Sequence, residues 1–402
     1  MGLTVSQRQA VTQQVARRYQ AASKTEKARI LDELCALTGW HRDHARKALR
    51  TALAPQPVAQ QRKPRARQYQ PEDIQALLKI WAVLNAPCGK RLAPVLAEMV
   101  DRLVVCGELR ITEASRYRLI RMSAATIDRI LAPHRALYQV KGRSRTKPGS
   151  LLKAQIPVRT WRDWDDARPG FVEIDLVAHD GGNAAGDYAH TLTVTDIATG
   201  WTENRAIRNK AYKWVEQAMI DIIDSFPFPI VGIDSDNGSE FINHHMVTFC
   251  TQREITFTRA RPGHKNDGAH VEQKNWTTVR QIVGYHRYRG DAQLDVLNGI
   301  YALLRLHANF FLPQQKLVTK TRHGAKVTKK HDTAQTPYHR TLNDPTVDIT
   351  DKAMLTDHYH TLNPVTTQRE ILALTDALAR MVTADITLYP DTARLLLAGI
   401  GT

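Results

Sequence analysis

The feature that most restricts the fold is an aspartate set inside a strand. After Gly170 the chain reads FVEIDLVA over residues 171–178, a run of β-forming residues with Asp175 between Ile174 and Leu176. Residues 188–197 (YAHTLTVTDI) and 201–208 continue as strands, joined by the turn Ala198-Thr199-Gly200. Residues 212–226 carry the apolar spacing of an amphipathic helix. Residues 229–236 (PIVGIDSD) read as a buried strand that ends at an Asn237-Gly238 turn. A helix over 241–253, a short strand over 255–258 and a helix over 267–283 follow. The expected order is three strands, helix, strand, helix, strand, helix, which makes an α/β domain.

That order is ribonuclease-H-like, and three carboxylates stand at telling places in it. Asp175 lies within the first strand, Asp236 ends the fourth, and Glu272 lies in the last helix with 35 residues between it and Asp236. A carboxylate inside an apolar strand is costly unless something pairs with it. Converging carboxylates repel one another, and a divalent cation removes that repulsion. Hard oxygen ligands select Mg²⁺ or Mn²⁺ over zinc. Two such ions about 3.5–4 Å apart can activate a nucleophile and stabilise the leaving oxygen of a phosphodiester. One arrangement has Asp175 bridging both ions, Asp236 holding one and Glu272 the other. Among the neighbouring acids, Asp180, Asp187 and Asp196 suit turns, and Glu240 and Glu254 lack the spacing.

Three segments carry a family resemblance: FVEIDLVAHDGG at 171–182, GIDSDNGSEFIN at 232–243, and TRARPGHKNDGAHVEQKNWTTVRQIVGYHRY at 258–288. They resemble transposases of the retroviral-integrase superfamily, specifically bacterial insertion-sequence transposases with an integrase catalytic core. The family's Asp, Asp, 35 residues, Glu spacing falls on Asp175, Asp236 and Glu272. Its Asp-Asn-Gly-x-x-Phe motif falls on residues 236–241, which favours Asp236 over Asp234 as the ligand. Its Lys-Asn approach to the glutamate falls on Lys265 and Asn266. The resemblance implies a two-metal enzyme that cleaves 3′ ends at element termini and joins them to target DNA. His264, Lys265, Asn266 and Lys274 are then candidates for contact with substrate DNA, the alternative being solvated surface side chains. The chain departs from retroviral integrases in lacking their zinc-binding His-His-Cys-Cys domain; a helical front stands in its place.

The flanks of the core are basic. Lys and Arg total 56 against 40 Asp and Glu, a formal charge of +16, which points first to a polyanionic partner. Residues 1–53 read as helical, with a capping box at Ser23-Lys24-Thr25-Glu26 and an apolar face of Ile30, Leu31, Leu34 and Leu37. Thr38-Gly39-Trp40 breaks that helix, and residues 41–50 resume it with Arg42, Arg46, Lys47 and Arg50 outward. Helix, short turn and basic second helix is the helix-turn-helix pattern of a DNA-binding domain; an ordinary helical hairpin is the alternative. Residues 54–70 form a basic linker, and residues 71–140 a second helical DNA-binding domain. In that domain Ser123 caps a short helix carrying Arg129, which Pro133 stops. A second basic linker at 141–169 precedes the core at 170–290. Residues 291–402 form a mostly helical C-terminal region with a basic segment at 316–330.

Other classes fit poorly. Cys35, Cys88, Cys106 and Cys250 are too scattered for a disulfide framework or a zinc site, and no run reaches the roughly 18 apolar residues of a membrane span. The expected setting is the bacterial cytoplasm, on the nucleoid. The expected partners are transposon terminal repeats, target DNA and further copies of the chain, with no membrane. The competing functions are a ribonuclease-H-fold nuclease that only hydrolyses, and a DNA-binding regulator with an inactive integrase-like core.

Overall fold

Capping boxes begin the chain's first two helices. Thr4 and Gln7 exchange side-chain and backbone bonds at the start of α1 (Val5–Ala21), and Ser23 and Glu26 do the same at α2 (Lys24–Thr38). Each box satisfies amides that a helix start leaves unpaired. Gly39, at φ 69°, ends α2 in the left-handed region and donates its N–H to Cys35 O. After His41 comes α3 (Arg42–Leu53). Ala16, Leu31, Leu34, Ala45 and Leu49 make the core of the three helices. Leu37, expected on the apolar face, is instead 55% exposed. Thr38 takes the inward place beyond Leu34 and binds Leu34 O through its hydroxyl.

The computed structural model describes residues 3–54, 68–136, 168–235, 241, 244–259 and 269–382. The chain divides into two compact units, Met1–Arg67 and Gln68–Thr402. Most of both expected basic linkers lies outside the described residues.

The second unit opens with α4 (Pro71–Val83), α5 (Gly89–Val105), α6 (Glu113–Ile120) and α7 (Ala124–Ala136). The Ser123 hydroxyl accepts the Thr126 N–H, as a cap should. Pro133 does not stop α7, contrary to its expected role; the helix runs on to Ala136. Arg135 pairs with Asp128 of the same helix and makes tertiary contacts with Pro87 O and the Trp81 ring, which hold the turn that proline weakens.

The α/β core follows in the expected order. Its elements are β1 (Phe171–Ala178), β2 (His190–Asp196), β3 (Thr202–Ile207), α8 (Tyr212–Ile223), β4 (Gly232–Ser235), α9 (His244–Gln252), β5 (Thr256–Arg259) and α10 (Ala269–Lys274). The last helix continues as a π-helical segment, Asn275–Arg280, and α11 (Gln281–Val283). Its expected start at Asp267 lies outside the described residues. Sheet order is β3-β2-β1-β4-β5, antiparallel from β3 to β1 and parallel from β1 to β5. This is the ribonuclease-H-like arrangement. One sheet face is apolar: Val172, Ile174, Leu192, Val194 and Ile233 join Val215, Met219, Met246 and Phe249 in one core. The other face carries Glu173, Asp175 and Val177 opposite Thr195, Thr193 and Thr191.

The C-terminal region is helical in α12 (Asp291–Phe310), α13 (Pro337–Asn343), α14 (Ile349–Thr361) and α15 (Pro364–Met381). Its basic segment is a hairpin, β6 (Leu317–His323) and β7 (Lys326–His331). The segments expected as separate domains at 71–140, 170–290 and 291–402 share one hydrophobic core that includes Trp81, Leu96, Val194, Phe310 and Tyr359. Arg102 of α5 is buried and donates to the carbonyls of Tyr359, His360 and Leu362. Among the described residues no helix is long and apolar enough to cross a membrane.

Candidate active site

Strand β1 puts Glu173 and Asp175 on one sheet face, and the helix after β5 meets that face. Two contacts fix the meeting. The Glu173 carboxylate, 1% exposed, accepts the backbone N–H of His270 at 3.0 Å and of Val271 at 3.1 Å. It thus caps the start of α10, where free amides and the helix dipole both favour an anion. One turn on, Asn275 Nδ2 donates to Asp175 Oδ2 at 2.6 Å, while Asp175 Oδ1 accepts the Leu176 N–H at 2.8 Å. Glu272 lies between these clamps, exposed, three residues before Asn275. The π-helical turn that begins at Asn275 is a feature often found at functional sites.

Asp175 and Glu272 are therefore brought to one strand–helix junction. Asp236, the next residue after Ser235, lies outside the described residues, as do His264, Lys265 and Asn266. The last β1–β4 pair is Ile174 with Ser235. Asp234 is buried opposite Glu173 and accepts a bond from the Thr258 hydroxyl at 2.6 Å. Asp180 accepts the Gly182 N–H and Asp196 the Thr199 N–H, both within turns.

The residues present suit a hard divalent cation. Asp175 and Glu272 offer only oxygen, and among the described residues the buried Asn275 Oδ1 beside Asp175 has no hydrogen-bond partner, so it could accept from a water on such an ion. Among the described residues no group of three His, Cys, Asp or Glu could by itself hold a metal ion.

Lys274 is partly buried and engaged within the protein. Its Nζ donates to Gly200 O at 2.9 Å, and burial, with Arg91 and Arg340 nearby, pushes its pKa down to about 7. A contact with substrate phosphate would require that bond to break. At the far end of β1, His179 shares a hydrogen bond with Thr191, and Thr191 with Tyr301, each at 2.7 Å. Burial holds the His179 imidazole well below its usual pKa, so it is neutral.

The expected DNA-contacting residues of the first unit differ in their engagement. Arg42 pairs with Asp32 and donates to Ala28 O, both in α2, while Arg46 pairs with Asp43 at 2.9 Å. Lys47 and Arg50 are exposed, as is Arg129 in α7 of the second unit.

Sequence reasoning missed Glu173 and Asn275. The signal was present for both: an acid two residues before Asp175, hence on the same strand face, and an amide three residues after Glu272, hence on the same helix side.

Residues 165–265 match the family described as "Integrase core domain". The match includes Asp175 and Asp236 and stops short of Glu272. Over 329 residues the chain is 39% identical to "Uncharacterized protein y4rM" of Sinorhizobium fredii (strain NBRC 101917 / NGR234), covering 82% of this chain and 93% of that protein. Among solved structures it is similar to the catalytic core domain of BIV integrase, at 17% identity and TM-score 0.29 over 42% of this chain and 91% of that one. It is also similar to the HTLV-2 integrase catalytic core domain in complex with magnesium (dimeric form), at 15% identity and TM-score 0.28 over 36% and 90%.

Proposed function

Because the chain belongs to one family with the Sinorhizobium protein y4rM and carries an integrase core, we propose that it is a DNA-strand transferase, the transposase of a bacterial insertion sequence. The observation that carries this reading is the strand–helix junction, where the Glu173 cap and the Asn275–Asp175 bond tie the strand of Asp175 to the helix of Glu272 inside an integrase core. With Asp236 they form the proposed catalytic triad and the ligand set for two Mg²⁺ or Mn²⁺ ions. Bound ions of this kind activate the attacking hydroxyl and stabilise the leaving oxygen of a phosphodiester. The chain's own part is to hold the three carboxylates and to position DNA. Asn275 fixes the orientation of Asp175 and Glu173 the placement of Glu272.

In this reading the substrates are the element's terminal repeats, cleaved at their 3′ ends, and target DNA, to which the freed 3′-hydroxyls are joined. His264, Lys265 and Asn266 contact substrate phosphate, and Lys47, Arg50 and Arg129 contribute to DNA binding. The chain works as a homo-oligomer on DNA in the bacterial cytoplasm.

The test is incubation of purified protein with duplexes bearing the element's ends and Mg²⁺. Strand-transfer products support the proposal. Hydrolysis alone identifies a nuclease, and binding alone a regulator with an inactive core.

A further inference from the structure

The β6–β7 hairpin has no packing of its own. Every residue of Leu317–His323 and Lys326–His331 is exposed. Isolated two-stranded ribbons are at best marginally stable in water. This one is closed by Gly324-Ala325, with Gly324 at φ 59°, the left-handed backbone that tight hairpin turns demand.

Its charges work against it. Residues 317–331 include Lys320, Arg322, Lys326, Lys329 and Lys330 and no acid. None of the five has an ion-pair partner among the described residues. Lys320 stands directly opposite Lys329 in the register, a like-charge pair that weakens a sheet. Those two share their ribbon face with Arg322 and Val327. The other face carries Thr319, Thr321 and Thr328 beside Lys326 and Lys330.

The root, by contrast, is firmly tied. Lys316 N donates to Asp332 Oδ1 at 2.7 Å, and Asp332 pairs with Arg340 at 2.7 Å. Lys316 Nζ donates to the carbonyls of Ile197 and Ala198 in the β2–β3 turn. Gly200 of the same turn receives Lys274, two residues beyond Glu272. A bare cationic ribbon is thus anchored, through one turn, to the helix of the proposed active site.

We infer that this hairpin is a DNA-binding arm that lies in the major groove of duplex DNA. The inference rests on the strand-transferase reading for its partner. A major groove about 12 Å wide admits a two-stranded β-ribbon. Seven residues at about 3.3 Å each give the arm a reach of about 23 Å. Phosphates on both groove walls relieve the Lys320–Lys329 repulsion, and the threonine hydroxyls can bond base edges.

The experiment compares full-length wild type with the triple variant Lys320→Gln, Arg322→Gln, Lys329→Gln, all at exposed sites, with melting temperature as the folding control. Duplex affinity is measured by fluorescence anisotropy across a salt series, and guanine N7 protection by methylation footprinting. The variant should lose affinity at least about tenfold at low salt, its log–log salt slope should fall by about 3, and N7 protection should weaken. Wild-type binding with an unchanged slope in the variant overturns the arm and leaves the strand-transferase reading intact. Protection confined to minor-groove positions overturns the groove assignment. Wild type that binds no duplex at any salt, or that binds only acidic protein through this hairpin, overturns both.

Discussion

Asp175 and Glu272 stand in unlike surroundings, one half-buried with both oxygens hydrogen-bonded, the other exposed. A carboxylate offsets the charge of a divalent cation and an amide does not, so in the proposed two-metal reading Asp175→Asn, Asp236→Asn and Glu272→Gln should each abolish cleavage and strand transfer, with DNA binding kept. Wild-type joining by any one of them would remove that residue from the site. Glu173 acts through the helix it caps. Glu173→Ala removes the acceptor of the buried Val271 N–H, at about 1–3 kcal/mol, and of the part-buried His270 N–H, and loosens the segment carrying Glu272. Strand transfer should fall about 10–100-fold at unchanged DNA affinity, while Glu173→Gln, which keeps an acceptor in place, should recover most of it. Equal rates for the two variants would show that the cap does not position Glu272. Asp196 supplies a pH signature. Burial raises its pKa from 3.8 to about 6, although Thr199, Gly170 and Lys316 oppose the shift. The folded state then binds the proton more tightly than the unfolded state between those values. This group's contribution to stability therefore falls as pH rises from about 4 to 6 and is flat above. Denaturant melts should show that slope in the wild type and a reduced one in Asp196→Asn.

The helices of the first unit separate structural from available cations. Arg42 is tied to Asp32 and Ala28 O in α2, so its loss should lower the melting temperature of the unit before it alters DNA affinity. Lys47 and Arg50 are exposed on α3. Replacing both with Gln should leave the melting temperature unchanged and weaken binding to the terminal repeat. A drop that is even across sequences means phosphate contact; a drop confined to the repeat means base reading. Intact affinity would move end recognition off α3. Elements starting at strong local signals were legible in advance, as the Ser23–Glu26 box and β1 show. The ends of elements were not. The end of α7 depends on Arg135 reaching Asp128, Pro87 and Trp81, contacts that local propensity cannot register.

At the scale of the whole molecule, one chain carries one proposed triad, and in the proposed reading two element ends joined to one target need at least two copies. The net charge of +16 opposes self-association, and DNA would neutralise it. Native mass measurement of protein with paired-end DNA at low salt should therefore show two or more chains, falling apart steeply as salt rises. A single chain per strand-transfer-competent complex would overturn this.

The sequence by itself determined the α/β core and the place of Asp175 and Glu272 in it, because strand and helix periodicity are local and an acid in an apolar strand demands a partner. Only the tertiary structure decided how those positions are held. Glu173 finds its amides 97 residues on, and Asp175 its amide 100 residues on, and neither pairing leaves a trace in local pattern. The same holds for residues 68–402, which pattern divided into three domains at 71–140, 170–290 and 291–402. Arg102 reaches the carbonyls at the end of α14 across more than 250 residues, and one core runs through all three segments, since a shared core depends on which faces meet and not on where each begins.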